Sequence, residues 1–173
     1  VGLTKTPAES AKIILAEVNE QMPRTLGDSF IHVSRLTHIL PVNYAIAELP
    51  QGNESDEDSK KIAGFIADLI PDGATLQMGI GGIPDAVLGY LGEKKDLGIH
   101  SEMFSDGVVR LVEQGVINNA RKTLHAGKIV VGFVLGTKQL YRWVHDNPLC
   151  EFHRQEYVND PFVIAQNDQM VAI

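Results

Sequence analysis

The stretch "ATLQMGIGGIPDAVLGYLGEKK" (74–95) decides the fold. It opens as a strand, Ala74 to Met78, and turns through Gly79-Ile80-Gly81-Gly82-Ile83-Pro84. It then runs on as a helix from Asp85 to Lys95, with Pro84 at the first turn, where a missing N–H goes unnoticed. Working outward, the same alternation recurs. "LGIHSEM" (97–103) reads as a strand, Asp106 to Gln114 as a helix with Ser105 as its cap, and "KIVVGFVL" (128–135) as the next strand. "TKQLYRWVHDN" (137–147) is a helix ended before Pro148, and "CEFHR" (150–154) and "DQMVAI" (168–173) read as further strands. "KIVVGFVL" is apolar without alternation, the pattern of a strand covered on both faces. Strands alternating with helices give an α/β fold, a mostly parallel sheet flanked by helices.

Upstream lies another helix, in which Ile62, Phe65, Ile66, Leu69 and Ile70 recur at helical spacing. Ser55 is placed to cap it, acidic residues fill its first turn and "PDG" (71–73) stops it. Before it, "PQGNESDEDSK" (50–60) is the most polar and acidic part of the chain and reads as a linker. Two domains are therefore expected, 1–52 and 53–173. In the first, "AKIILAEV" (11–18) reads as a helix end or a strand of buried type, and "NEQMPRTLGDSF" (19–30) is turn-rich.

With 173 residues, 44% of them hydrophobic, the chain can bury a real core. A formal net charge of −7, with the basic residues scattered, argues against nucleic acid or an anionic membrane as partner. A single cysteine, Cys150, cannot close an intramolecular disulfide, which points to a reducing, cytoplasmic setting. No apolar run reaches the ~18 residues of a membrane helix, and no signal peptide is evident. The start at Val1 and the end on "MVAI" are both expected to be other than natural termini.

In an open parallel sheet ligands bind outside the carboxyl ends of the strands. Three such ends carry Gly79-Ile80-Gly81-Gly82, Glu102-Met103 and Gly136-Thr137. The glycine loop can cradle an anion through its backbone N–H groups, or serve only as a tight turn. It is not a dinucleotide fingerprint, which would need glycine where Pro84 stands, and no P-loop Gly-Lys-Ser/Thr follows. Glu102 is either a solvated charge or the centre of a chemistry. Strand alternation puts it on one face with His100. A His-x-Glu pair could ligate a metal, yet no third ligand follows at zinc-type spacing and histidines 32, 38, 125, 145 and 153 are dispersed, so no metal is expected. His100 reads as a hydrogen-bonded structural residue, "RKTLH" (121–125) as a solvated loop, and Trp143 as packing.

"LQMGIGGIPDAV", "KKDLGIHSEMFSDGVV", "GKIVVGFVLGTKQLY" and "YVNDPFVIAQNDQMVAI", in that order, resemble the acetyl-CoA hydrolase/transferase family, in its 4-hydroxybutyrate or butyryl/acetate CoA-transferase branch. The likeness extends back through "AKIILAEVNEQMPRTLGDSFIHVS" and so covers nearly the whole chain. The resemblance implies transfer of coenzyme A between short-chain carboxylates, with the HSEM glutamate, Glu102, as nucleophile and a glutamyl-CoA thioester as intermediate. It implies that Gly79, Ile80, Gly81, Gly82 and Ile83 bind CoA and hold developing charge. Acyl-CoA is then a substrate, no tightly bound cofactor is needed, and a homo-oligomer is expected. Family members extend on both sides and carry a further glycine motif that is absent here, so the chain is expected to be a central piece that works with the remainder of a longer polypeptide. The physical reading is compatible: a glutamate in water has a pKa of about 4.3 and needs no base to become a nucleophile. Two alternatives stand beside transfer, namely acyl-CoA hydrolysis on the same scaffold and a non-catalytic binding module.

Overall fold

The computed structural model describes residues 2–49 and 56–173. Its centre is a five-stranded sheet, every pair parallel, with β3 (Thr75–Gln77), β4 (Gly98–Phe104), β5 (Ile129–Val134), β6 (Cys150–Phe152) and β7 (Met170–Ala172) in the order β6-β5-β4-β3-β7. Helix α2 (Glu57–Leu69) precedes these strands, and α3 (Gly82–Tyr90), α4 (Asp106–Glu113) and α5 (Lys138–Val144) lie between them. They bury Ala67, Val87, Leu88, Val108, Leu111 and Leu140 against Leu76, Ile99, Ile129 and Val131 of the sheet. Two short helices, α6 (Gln155–Val158) and α7 (Pro161–Ile164), follow β6, and α6 packs over β4 and β5. Each helix that returns the chain from one parallel strand to the next covers apolar surface the sheet cannot cover itself.

The first part of the chain is smaller. Helix α1 (Lys5–Ser10) precedes β1 (Leu15–Asn19), a single 3-10 turn at Val33–Arg35 and β2 (His38–Val42). β1 and β2 pair parallel, Leu15 opposite His38 through Asn19 opposite Val42. This part is tied to the larger sheet by backbone bonds, including Gly2 N–H to Gly132 C=O (2.9 Å), Asp28 N–H to Phe152 C=O (2.8 Å) and Leu49 N–H to Gly136 C=O (3.0 Å).

The α/β architecture agrees with the sequence expectation, and several local readings need correction. "AKIILAEV" does yield a strand, but Leu15 and Val18 are exposed rather than buried. Residues 56–60 belong to the start of α2, which Asp56 caps by accepting from Ser59 N–H (2.9 Å). The Ser55 cap and the boundary at 52/53 lie outside the described residues. The apolar stripe of α2 splits: Ala63, Ala67 and Ile70 are buried, whereas Phe65 and Leu69 are 73% and 81% exposed. Small residues let α2 approach α3 closely, and the large ones are turned outward. Helix α3 begins at Gly82, so the back half of the glycine loop is its first turn, and it ends at Tyr90 instead of Lys95. The residues at 121–125 are no solvated loop, because Lys122 is buried and donates from Nζ to the carbonyls of Ile99 (2.8 Å) and Lys128 (2.7 Å). β2, α1, α6 and α7 had no clear signal in the sequence.

Candidate active site

The strand order makes β3, β4 and β5 immediate neighbours, and their parallel pairing brings the glycine loop, Glu102 and Gly136-Thr137 to one edge of the sheet. β3 and β4 pair Thr75 with Gly98 and Leu76 with Ile99. Ser101 continues that register by side chain: its hydroxyl accepts from Met78 N–H (3.0 Å) and lies within bonding distance of the carbonyls of Met78 (3.1 Å) and Met103 (2.7 Å). Carried one residue further, the register sets Gly79 abreast of Glu102. Ser101 is itself buried, so the last residue before the loop and the strand bearing Glu102 are fastened together away from water.

The loop then leaves the sheet. Gly79 N–H bonds the carbonyl of Ile173 (2.8 Å), which ties the loop to the strand on its other side. Gly81, at φ 113° and ψ −175°, caps α3 in a conformation that a side chain would strain. The N-terminus of α3 therefore opens at this edge with glycines before it, and Gly79 to Ile83 are all exposed. Ile80 is 70% exposed, an apolar side chain left in water beside a polar turn. Ser105, expected as a cap, makes no capping bond and instead donates to the Asp85 carboxylate (3.1 Å), joining the first turn of α3 to the start of α4. At the third strand end, Asp106 accepts from Thr137 N–H (2.9 Å) and Oγ (2.5 Å).

Glu102 is the exposed residue of an otherwise buried strand. Its Oε2 accepts from Asn159 Nδ2 (2.9 Å), a residue that closes α6 and that the sequence did not single out. His100, on the same face, is buried, with Nε2 at 2.9 Å from the Val158 carbonyl and Nδ1 at 3.4 Å from Asn167 Nδ2. Burial holds its pKa below the usual histidine range, against the opposing pull of the Val158 carbonyl. It is thus the structural residue that the sequence suggested. Trp143 likewise packs, edge-on to Phe104 with ring centres 6.3 Å apart. Cys150 is buried, its thiol pushed up to about 12 by burial, and is no nucleophile.

Between Glu102 and β6 lies Gly132 of β5. A side chain there would collide with Gln155 of α6 and come within 3.0 Å of the Glu102 carbonyl. A side chain at this position would force the Gln155 side chain of α6 to move, and α6 in turn presents Asn159 to Glu102. Among the described residues, the arrangement is an exposed carboxylate with one amide partner beside an exposed glycine turn that leads into a helix N-terminus. Such a site can offer a nucleophile and an anion cradle side by side. No helix among the described residues is long and apolar enough to cross a membrane.

Comparison with known proteins places this arrangement in context. Residues 136–173 match the model of the acetyl-CoA hydrolase/transferase C-terminal domain. The 4-hydroxybutyrate coenzyme A transferase of Clostridium kluyveri is 58% identical over 98% of this chain, and the butyryl-CoA:acetate CoA-transferase of Anaerostipes caccae is 40% identical over 95% of it. The chain spans 39% and 38% of the lengths of those relatives. Among solved structures, 4-hydroxybutyrate CoA-transferase from Porphyromonas gingivalis superposes with a TM-score of 0.93 at 48% identity, covering 99% of this chain and 44% of that one. RipA from Yersinia pestis gives 0.93 at 40% identity, over 98% of this chain and 39% of that one. Residues 136–173 thus resemble the C-terminal domain of the acetyl-CoA hydrolase/transferase family, and over nearly its whole length the chain is similar, in sequence and fold, to one part of CoA-transferases.

Proposed function

We propose that the protein is a CoA-transferase that moves coenzyme A between short-chain carboxylic acids through a glutamyl-CoA thioester on Glu102. The observation that carries this reading is the exposed Glu102 carboxylate abreast of the 79–83 turn, at the carboxyl ends of adjacent parallel strands. In the first half-reaction a Glu102 oxygen attacks the thioester carbonyl carbon of an acyl-CoA. The C–S bond breaks, coenzyme A leaves as its thiolate and the acyl group remains as a mixed anhydride. The thiolate then attacks the glutamyl carbon of that anhydride, which expels the acid as carboxylate and leaves the glutamyl thioester. An acceptor acid runs the sequence backward and frees Glu102.

Charge builds on the thioester oxygen at each tetrahedral stage, and backbone N–H groups at the glycine turn are suited to stabilise it, each worth on the order of 3 kcal/mol in such a role. Asn159 holds one Glu102 oxygen and leaves the other for attack. Ile80 and Ile83 supply apolar surface beside the reacting atoms and help keep water from the anhydride. We place the division between two CoA-transferase domains near residue 52, with Glu102 in the second, and take the complete CoA site to draw on the longer polypeptide.

Hydrolysis on the same scaffold is the competing reading, since water can replace the acceptor acid. The full-length protein is incubated with butyryl-CoA, with and without acetate. Transfer predicts that acetate accelerates loss of butyryl-CoA and that acetyl-CoA accumulates in equal amount. Equal rates with free coenzyme A as product would establish the hydrolase instead.

A further inference from the structure

Two strands away from Glu102, on the same face of the sheet, lies a cluster to which the reaction gives no role. The register sets His100 beside Val130 and Val130 beside Glu151, and one step on aligns Glu102, Gly132 and His153. Glu151 in the edge strand β6 and His153 just past its end, alternate residues, therefore project to one side. His125, from the loop before β5, closes on them: its Nδ1 is 2.6 Å from Glu151 Oε2, and His153 Nε2 is 3.4 Å from the same oxygen. One ligand atom from each residue lies within 4.8 Å of the others. Ligands of a tetrahedral zinc with bonds of about 2 Å stand roughly 3.3 Å apart, so small side-chain rotations bring all three to a metal.

We propose that His125 Nδ1, the Glu151 carboxylate and His153 Nε2 bind a divalent transition metal of the zinc class. Two imidazoles and one carboxylate are the donor set such ions favour, and one carboxylate offsets half the charge. The rings are already ordered. His153 stacks on Tyr157 with centres 4.8 Å apart, and His125 meets His153 at 5.1 Å. Tyr157 Oη lies 2.7 Å from His125 Nε2 and supplies the outer partner that metal-bound histidines require. Binding displaces the proton on His125 Nδ1, Nε2 carries the ring proton instead, and Nε2–H then donates to the tyrosine oxygen. Lys122, whose charge is felt by Glu151, is bonded to two backbone carbonyls and so leaves Glu151 to the histidines. All three side chains retain partial exposure, 18% to 26%, which gives an ion a path in.

The metal would join the 121–128 loop to the edge strand and, through Tyr157, to α6, whose last residues hold His100 and Glu102. This inference does not depend on the transferase reading. It is tested on the full-length protein, stripped with chelator and titrated with CoCl2 and then with ZnCl2. The expected result is one equivalent of cobalt bound with visible d–d absorption, displaced by zinc and lost in both His153→Ala and Glu151→Gln. His145→Ala, a control on α5's far end, retains it. Tyr157→Phe weakens zinc binding about 10-fold. Glu151→Gln keeps the shape of the site and serves if His153→Ala fails to fold. No saturable uptake in the parent protein, or uptake unchanged in Glu151→Gln, would overturn the proposal and leave a hydrogen-bonded cluster only.

Discussion

The two sheets of this protein are made by the same kind of pairing and have opposite surroundings. In the five-stranded sheet, β4 is buried at every residue but Glu102 and β5 at its first four, whereas β1 and β2 have no buried residue. Parallel strands gain little from their ladder alone, and most of their stabilisation comes from apolar cover on both faces. The larger sheet has that cover from α2 to α6. The smaller one leaves Leu15, Val18, Ile39 and Leu40 in water. The proposed chemistry thus sits where the packing is complete, and an exposed residue means different things in the two places. In β1 it marks a face that these 173 residues do not cover, while in β4 it is a single polar group aimed outward from a sealed strand.

The largest effect that separates these meanings concerns Glu102. Glu102→Gln is expected to lower acyl-CoA:carboxylate transfer by at least ~10³-fold while shifting urea stability by no more than ~0.5 kcal/mol, because an exposed side chain with one amide partner adds little to folding. Steady-state kinetics and urea titration on the same preparation check both halves. Next, Ile99→Ala is expected to cost about 2–5 kcal/mol and Leu15→Ala within ~0.5 kcal/mol in the 173-residue chain. Equal costs in urea melts would remove the contrast between the sheets. Ser101→Ala then probes the fastening between loop and strand. It leaves Met78 N–H buried without its acceptor, an expected loss of about 1–3 kcal/mol, and turnover should fall with it as the loop loses its position beside Glu102.

A pH-linked effect belongs to the covered sheet. Burial lowers the pKa of Lys122 from 10.5 to about 7, so between those values the unfolded chain holds a proton that the folded chain does not. Stability is penalised in full below pH 7 and recovers as pH rises toward 10.5. The difference in urea midpoint between the parent and Lys122→Met should therefore narrow or reverse as pH rises across that window. A pH-independent difference would show that Lys122 is ordinary.

The same contrast explains what could be read in advance. From Ala74 onward strand and helix alternate and, although the Ser105 cap, the end of α3 and the 121–125 loop depart from the sequence reading, the order of the elements agrees with the tertiary outcome, so the sheet and the common edge of its three strand ends were legible. Glu102 and the 79–83 turn followed from that edge. Before Gly73 the signals are weaker, since "AKIILAEV" shows an apolar strand but not whether anything covers it, and the stripe of α2 does not say that Ala63 and Ala67, rather than Phe65 and Leu69, face inward. Asn159 and the meeting of His125 with Glu151 and His153 were not legible at all. They depend on α6 crossing the sheet over Gly132, and on a loop that returns His125 to the edge strand, contacts between residues far apart in the chain.

The central claim is that the Glu102 side chain becomes covalently bound to coenzyme A. Full-length protein is mixed with acyl-CoA in the absence of acceptor acid, treated with borohydride and digested, and the peptide carrying residues 98–104 is read by mass spectrometry. The account predicts that Glu102 is reduced to the corresponding primary alcohol in that peptide, and only when acyl-CoA was present. An unmodified Glu102 in a sample with full transferase activity would contradict it.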